Sequence, residues 1–300
     1  MLYPANRIQE DMNVEEYVQN PTRIRRQLDQ LTRDRNIADF AFGSSAANNG
    51  GIVYDRVTEE SAQDRARRTA EVRAPGAEFT KVSVETGRPS YAVVEEYGAE
   101  TEMSWKAIQR NDTQTLRRRM NSLASTVVRK IDRIAVQAIS NDPDIRQYGV
   151  DTPWSESGVD VIGDIIQAMG EAEDSAYEET SYNLDTILIN KADLREYLWA
   201  NQEVREQLPR EQADLSPILN KNFHGYLDLN WIATNEVQRG TSYLLQAGIS
   251  GVIGDEDGGI QNHEYDIDSK HVRAFQAWRT VVPAITDPLS IVRLTGFHNG

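Results

Sequence analysis

The first candidates for acid–base or metal chemistry are the four histidines, His224, His263, His271 and His298. None stands in a ligand spacing such as HExxH, which puts two imidazoles on one helix face. They read as ordinary surface or core histidines. The chain has no cysteine, which excludes disulfides and thiolate-held metals. Gly248-Ile249-Ser250-Gly251 is the nearest string to a nucleophile elbow and lacks the GxSxG spacing. The loop from Gly43 to Gly51 has no following Lys-Ser or Lys-Thr to meet a nucleotide phosphate. Asp255-Glu256-Asp257-Gly258-Gly259 suggests calcium, but a calcium loop wants carboxylates at its first, third and fifth positions, a glycine at the sixth and a glutamate at the twelfth. The run fails that pattern and reads as a solvated turn. Carboxylates are abundant, yet nothing singles out an acid–base pair. No catalytic, cofactor-binding or metal-ligating residue is assigned, no cofactor is expected, and the chain is expected not to be an enzyme.

What stands out instead is cationic and carried on one long helix. Leu116, Met120, Leu123, Val127, Ile131, Ile134 and Ala138 recur at the helical period and form one apolar stripe. Ala124, Val128 and Ala135 widen it. Arg118, Arg129 and Arg133 fall on the opposite side, flanked by Arg117, Arg119 and Lys130. No Gly or Pro interrupts 104–142, and Pro143 follows at once. At about 1.5 Å per residue such a helix exceeds roughly 40 Å. Asn111-Asp112-Thr113 offers an alternative cap, which would leave Ser104 to Arg110 as a separate turn.

A ribbon precedes the helix. Val82 and Val84 alternate with Lys81 and Ser83 at the strand period. Thr86-Gly87-Arg88-Pro89 reads as a turn, and SYAVVEEYG (90–98) as the second strand. Ile52, Val53 and Tyr54 suggest a further short strand. The charged stretch between them, 58–78, has few large apolar residues and cannot bury much surface by itself. It is either a solvated loop or an arm that gains order on another subunit. A protruding ribbon followed by a helix this long suggests a subunit built to touch its neighbours.

The net charge is −15, which disfavours general affinity for phosphate backbones. It is unevenly spread. The long helix is basic, whereas 151–215 is strongly acidic and includes Glu171, Glu173, Asp174, Glu178 and Glu179. Two such elements could pair between copies or stand as two solvated faces. No apolar run is long enough to span a bilayer, and no secretory signal opens the sequence, so no membrane partner is expected.

Residues 1–44 read as a charge-rich arm with little core, holding one helix over 21–35 with a thin stripe of Ile24, Leu28 and Leu31. Residues 151–269 read as a separate α/β lobe. In it, Val159 to Met169 is a helix ended by Gly170, and Leu184 to Asn190 is a buried strand. Ala192 to Trp199 follows as a helix. Leu227 to Ala233 and Ser242 to Ala247 are strands, and Val252-Ile253 leads into a turn at 254–259. Residues 271–285 read as one long strand whose pairing Pro283 limits, and Leu289 to Phe297 as the closing run.

In this order the parts resemble the major capsid proteins of tailed bacteriophages of the Hong Kong 97 type. The carriers are GAEFTKVSVETGRPSYAVVEEYGAETEMSWKAI, LASTVVRKIDRIAVQAI, LDTILINKADLREYL, GYLDLNWIATNEVQRGTSYLLQAGISGVIGDEDG and AWRTVVPAITDPLSIVRLTGF. No single motif is diagnostic; their order and spacing carry the resemblance. It implies an α+β Hong Kong 97-like fold. The parts would be an N-terminal arm (1–44), an extended loop or β-ribbon (45–92) and a peripheral domain with the spine helix (93–150). An axial domain (151–269), the long peripheral strand (270–286) and a C-terminal strand returning to the axial domain (287–300) would follow.

The implied function is that of a self-assembling subunit whose pentamers and hexamers close an icosahedral shell around double-stranded DNA, without sequence-specific binding. Its implied location is the virion capsid, assembled in the host cytoplasm. Implied partners are further copies of the chain, a scaffolding protein and a portal during assembly, and a decoration protein. Candidate inter-subunit contacts are Arg25, Arg26, an arginine at position 66, Arg68, Lys81, Arg88, Arg118, Arg129 and Arg133. Some family members crosslink through a loop lysine and a neighbour's asparagine. Here Lys81 is the only lysine before Lys106, no partner amide or carboxylate can be placed, and no crosslink is expected. The alternatives are an encapsulin-like nanocompartment shell and, from another class, an acidic α/β enzyme with an unrecognised site.

Overall fold

The computed structural model describes residues 14–18, 20–33, 36–66, 87–154, 156, 159–174, 182–200 and 229–298. Three helices open the chain, α1 (Val14–Val18), α2 (Pro21–Arg33) and α3 (Ile37–Ala41), followed by β1 (Gly43–Ala46), β2 (Gly51–Arg56) and α4 (Glu59–Ala66). Next come β3 (Arg88–Val93), β4 (Glu95–Ser104), the short α5 (Trp105–Gln109), the long α6 (Thr113–Ser140) and β5 (Arg146–Gly149). The rest comprises α7 (Val161–Asp174), β6 (Thr186–Asn190), α8 (Lys191–Ala200), β7 (Asn230–Thr234), β8 (Thr241–Leu245), β9 (Gly251–Asp255), β10 (Gln261–Ile267), β11 (Val272–Ile285) and β12 (Ile291–Thr295).

β11 organises the first sheet. β4 pairs with it from Ser104↔Val272 to Glu95↔Val281. On its other side β10 pairs with Val272 to Trp278, and β9 takes over from Val281 to Ile285. β1 adds in parallel to β9. Pairing with β4 stops two residues before Pro283, while pairing with β9 continues past it, as expected where one flank of a strand is open. One face of this sheet packs against α6: Met103, Phe275, Ala277 and Val281 share a core with Leu116, Met120, Val127 and Ile131.

The second sheet has the order β5-β12-β8-β6-β7. β6, between β8 and β7, is buried at all five positions, which accounts for the apolar run Ile187-Leu188-Ile189. α7 and α8 cover this sheet through Val161, Ile165, Ala168, Leu194 and Tyr197. β2 and β3 form a separate two-stranded ribbon.

Several expectations are corrected. The arm is well cored: Val14, Val18, Ile24, Leu28, Ile37 and Phe42 are buried in the same cluster as α6. Part of 58–78, read as a loop or an arm, is the helix α4, with Ser61 and Ala62 buried; Thr58 and Ser61 cap its start reciprocally. Position 66 holds Ala66 rather than an arginine. Arg88 and Pro89 belong to β3, not to a turn, and SYAVVEEYG is divided at Val94 so that β3 and β4 join different sheets. α7 runs through Gly170 to Asp174, because buried Ala168 and Ala172 hold it against the sheet at a cost for glycine of about 1 kcal/mol. Gly254 lies in β9, and β9 and β10, grouped by sequence with the lobe 151–269, pair instead with β11. The strand expected at Val82 and Val84 lies outside the described residues.

Candidate assembly surfaces

The 28-residue α6 spans about 42 Å at 1.5 Å per residue. It begins at the cap: the Asp112 carboxylate accepts from Thr115 N at 2.9 Å and from Thr115 Oγ1 at 2.7 Å. These bonds hold the Asp112 carboxyl below its ordinary range, and the anion suits a helix N-terminus. Ser104 caps the separate α5 in the same manner. Between them Asn111 takes a left-handed φ of 54°, and its Oδ1 accepts from Val14 N at 2.7 Å, tying the arm to the helix start. At the far end the Arg293 guanidinium donates to Ser140 O at 2.6 Å, satisfying a terminal carbonyl. β12 of the second sheet is thereby locked to the end of α6.

The apolar stripe is buried as its spacing predicts, except that Ile134 and Ala138 are half-buried while Val136 and Ile139 are buried. Asp132 is the residue that periodicity missed. Its side chain is buried, and Oδ1 accepts from Ala38 N at 3.0 Å. Burial pushes its carboxyl up to about 7; the N–H groups of Ala38 and Ile37 oppose the shift, and the nearby charges of Asp39 and Glu236 add to it. Asp132 thus joins α6 to α3.

The ribbon's inner face packs Ile52, Tyr54, Ala92 and Val94 against Ala284 and Val282. Its outer face leaves Val53 78 %, Tyr91 60 % and Val93 58 % exposed, with Val53 directly opposite Tyr91. Arg56, at the ribbon's end, donates at 2.7 Å to both Asp142 and Asp144, and the hydrogen bond to Asp142 is the main cause that raises the guanidinium pKa. That ion pair fixes the ribbon beside the C-terminus of α6. Gly87 is required here, since a Cβ would lie 2.1 Å from Arg56 O.

Among the candidate contact residues, Arg26, Arg88, Arg118, Arg129 and Arg133 are exposed and Arg25 is half-buried. Arg133 is already engaged within the chain, donating to Glu236 at 2.7 Å. Arg68 and Lys81 lie outside the described residues. Asp193, Glu196 and His298 lie close enough together to suggest a metal site. The Arg239 guanidinium bonds two of these carboxylates, Asp193 at 3.1 Å and Glu196. In the 255–259 turn Asp255 Oδ1 accepts from the backbone N–H groups of Asp257, Gly258 and Gly259, and Arg279 binds Oδ2 at 2.7 Å.

Residues 87–294 match the family described as phage capsid protein. The chain belongs to that family. A virus-like particle protein from Pyrococcus furiosus shares the fold with a TM-score of 0.62 at 11 % identity, over 90 % of this chain and 97 % of that one. The subunit of the bacteriophage PhiM1 mature capsid follows with a TM-score of 0.55 at 9 % identity over 88 % of each chain. The structure of phage G gp27 major capsid proteins and gp26 decoration proteins gives a TM-score of 0.50 at 10 % identity over 87 % of this chain and 91 % of that one. No curated protein matches the sequence. The fold is Hong Kong 97-like, and this capsid protein is a structural shell subunit. Among the described residues no helix is long and apolar enough to cross a membrane.

Proposed function

We propose that this capsid protein assembles as pentamers and hexamers into an icosahedral shell that encloses double-stranded DNA. The observation that carries the reading is the outer face of the β2–β3 ribbon. A two-stranded ribbon is marginally stable alone, and Val53, Tyr91 and Val93 form an apolar face of a kind that marks contact surfaces. In a shell, that face is covered by a neighbouring copy. Closure then follows from many modest contacts repeated by symmetry.

In this reading 1–44 is the arm and 45–92 the extended loop. The β11 sheet with α6 forms the peripheral domain, and the second sheet with α7 and α8 forms the axial domain. Arg25, Arg26, Arg68, Lys81 and Arg88 bind neighbouring copies. A scaffolding protein and a portal take part in assembly in the host cytoplasm, and a decoration protein binds the finished shell. The test is to treat purified particles with nuclease and extract them. Protected double-stranded DNA inside particles with five- and six-fold capsomers is the expected result. Particles that hold protein cargo and no genome would overturn the DNA-enclosing reading.

A further inference from the structure

The β11 sheet and its helices form a plate whose two broad faces carry opposite charge. On β4, Met103, Ala99 and Tyr97 face α6, so the alternate residues Glu96, Glu100 and Glu102 point away from it. Glu100 accepts from Tyr265 Oη and from Gln276 Nε2, both at 2.8 Å, which places all three side chains on that far face. Lys270 is engaged there with Glu102 at 2.7 Å. The strand face is therefore acidic.

The helix face is basic. Arg118, Arg119, Arg129 and Lys130 are all exposed on α6. α2, which shares the core of α6, adds exposed Arg23. Lys130 also lies over the Tyr97 ring, 5.2 Å from its centroid. Glu15, Asp29, Asp112 and Glu95, which accepts from the Tyr97 hydroxyl, offset part of this charge. The two cationic pairs of α6 are eleven residues apart, about 16 Å along the helix. This arrangement tracks a run of phosphates rather than one bound anion.

Resting on the shell reading, we infer that the spine-helix face is the inner wall of the shell and that Arg118, Arg119, Arg129 and Lys130 contact the phosphates of the enclosed nucleic acid. A wall around a polyanion has one broad face toward it, and the basic face is the complementary one. The acidic strand face then looks outward. With a net charge of −15, the chain as a whole repels DNA, so the contact is weak, local and steeply dependent on salt.

Two measurements test this. The first replaces the four cations together (Arg118→Gln, Arg119→Gln, Arg129→Gln and Lys130→Gln). Glutamine keeps helix propensity, so the fold is retained. Binding of a 30-base-pair duplex to unassembled full-length protein is followed from 50 to 100 mM salt. Wild type is expected to lose about tenfold more affinity over that range than the variant, since each phosphate contact contributes about 0.9 to the logarithmic salt slope. Equal slopes overturn the inference. So does a variant that binds DNA as wild type does but forms no shells, which assigns these residues to acidic neighbours.

The second measurement exploits the absence of cysteine. Thr126→Cys on the helix face and His263→Cys on the strand face are treated with a polymer-linked maleimide too large to enter a shell. Thr126→Cys should react only after the shells are dissociated, and His263→Cys in intact shells. Reaction of Thr126→Cys in intact shells overturns the inference. Electron microscopy of the same samples reads shell formation independently, so failure of the shell reading is distinguishable from failure of this one.

Discussion

Replacing Asp132 with asparagine should stabilise the unassembled protein, and by an amount that grows with pH. Asp132 is 6 % exposed, and burial pushes its carboxyl up from its ordinary 3.8 to about 7. The folded protein therefore keeps a proton that the unfolded chain releases. The stability this linkage contributes is fully present below pH 3.8 and is lost as pH rises to about 7, above which the curve is flat. The shift of about three units, at 1.36 kcal/mol each, gives a loss of about 4 kcal/mol, an upper figure for a group held by backbone N–H donors. Asparagine retains an oxygen for Ala38 N–H and cannot ionise. At pH 4 the variant and wild type should unfold within about 1 kcal/mol of each other. At pH 8 the variant should lead by up to about 4 kcal/mol, or up to roughly 8 °C in Tm for a chain of this size. The assay is thermal unfolding of full-length protein at fixed concentration, under conditions that hold it unassembled, every half pH unit from 4 to 8.5. A Tm difference that does not change with pH, or a wild type that is the more stable at pH 8, would refute the argument.

Two further perturbations follow from the same contacts. Val127→Asp places a carboxylate in the stripe between α6 and the β11 sheet, where no partner offsets its desolvation; the variant should be recovered only as insoluble protein, and a soluble product with a wild-type circular dichroism spectrum would contradict the packing. Arg56→Ala removes the cation paired with Asp142, whose side chain is 5 % exposed, and leaves it the Asp144 N–H, at a cost of about 3 kcal/mol. Hydrogen exchange should quicken across β2 and β3 while α6 stays protected, and unchanged exchange in the ribbon would show that Arg56 does not anchor it.

The long helix was legible because its buried face repeats at one period from Leu116 to Ile131, and its cap because Asp112 sits directly before the first helical turn. The buried β6 was legible as an uninterrupted apolar run. Asp132 was not: a carboxylate among arginines on a helix reads as solvent-facing, and its burial depends on α3, which is 94 residues distant in sequence. The arm looked poor in core because Val14, Val18, Ile24 and Leu28 are spread over charged helices that bury one narrow edge each. β9 and β10 were grouped with the wrong sheet because strand pairing is a long-range choice, and Val252-Ile253 carries no local mark of its partner. The outward face of the ribbon was hidden for a related reason: strand alternation places Val53 and Tyr91 on one side without saying what covers them.

A shell-forming subunit must assemble, alone or with its partners. Sedimentation with negative-stain microscopy of the full-length protein, produced alone and together with the products of its neighbouring genes, tests it most directly. Closed shells or capsomer-sized rings are the predicted result. A stable monomer under every condition would contradict it.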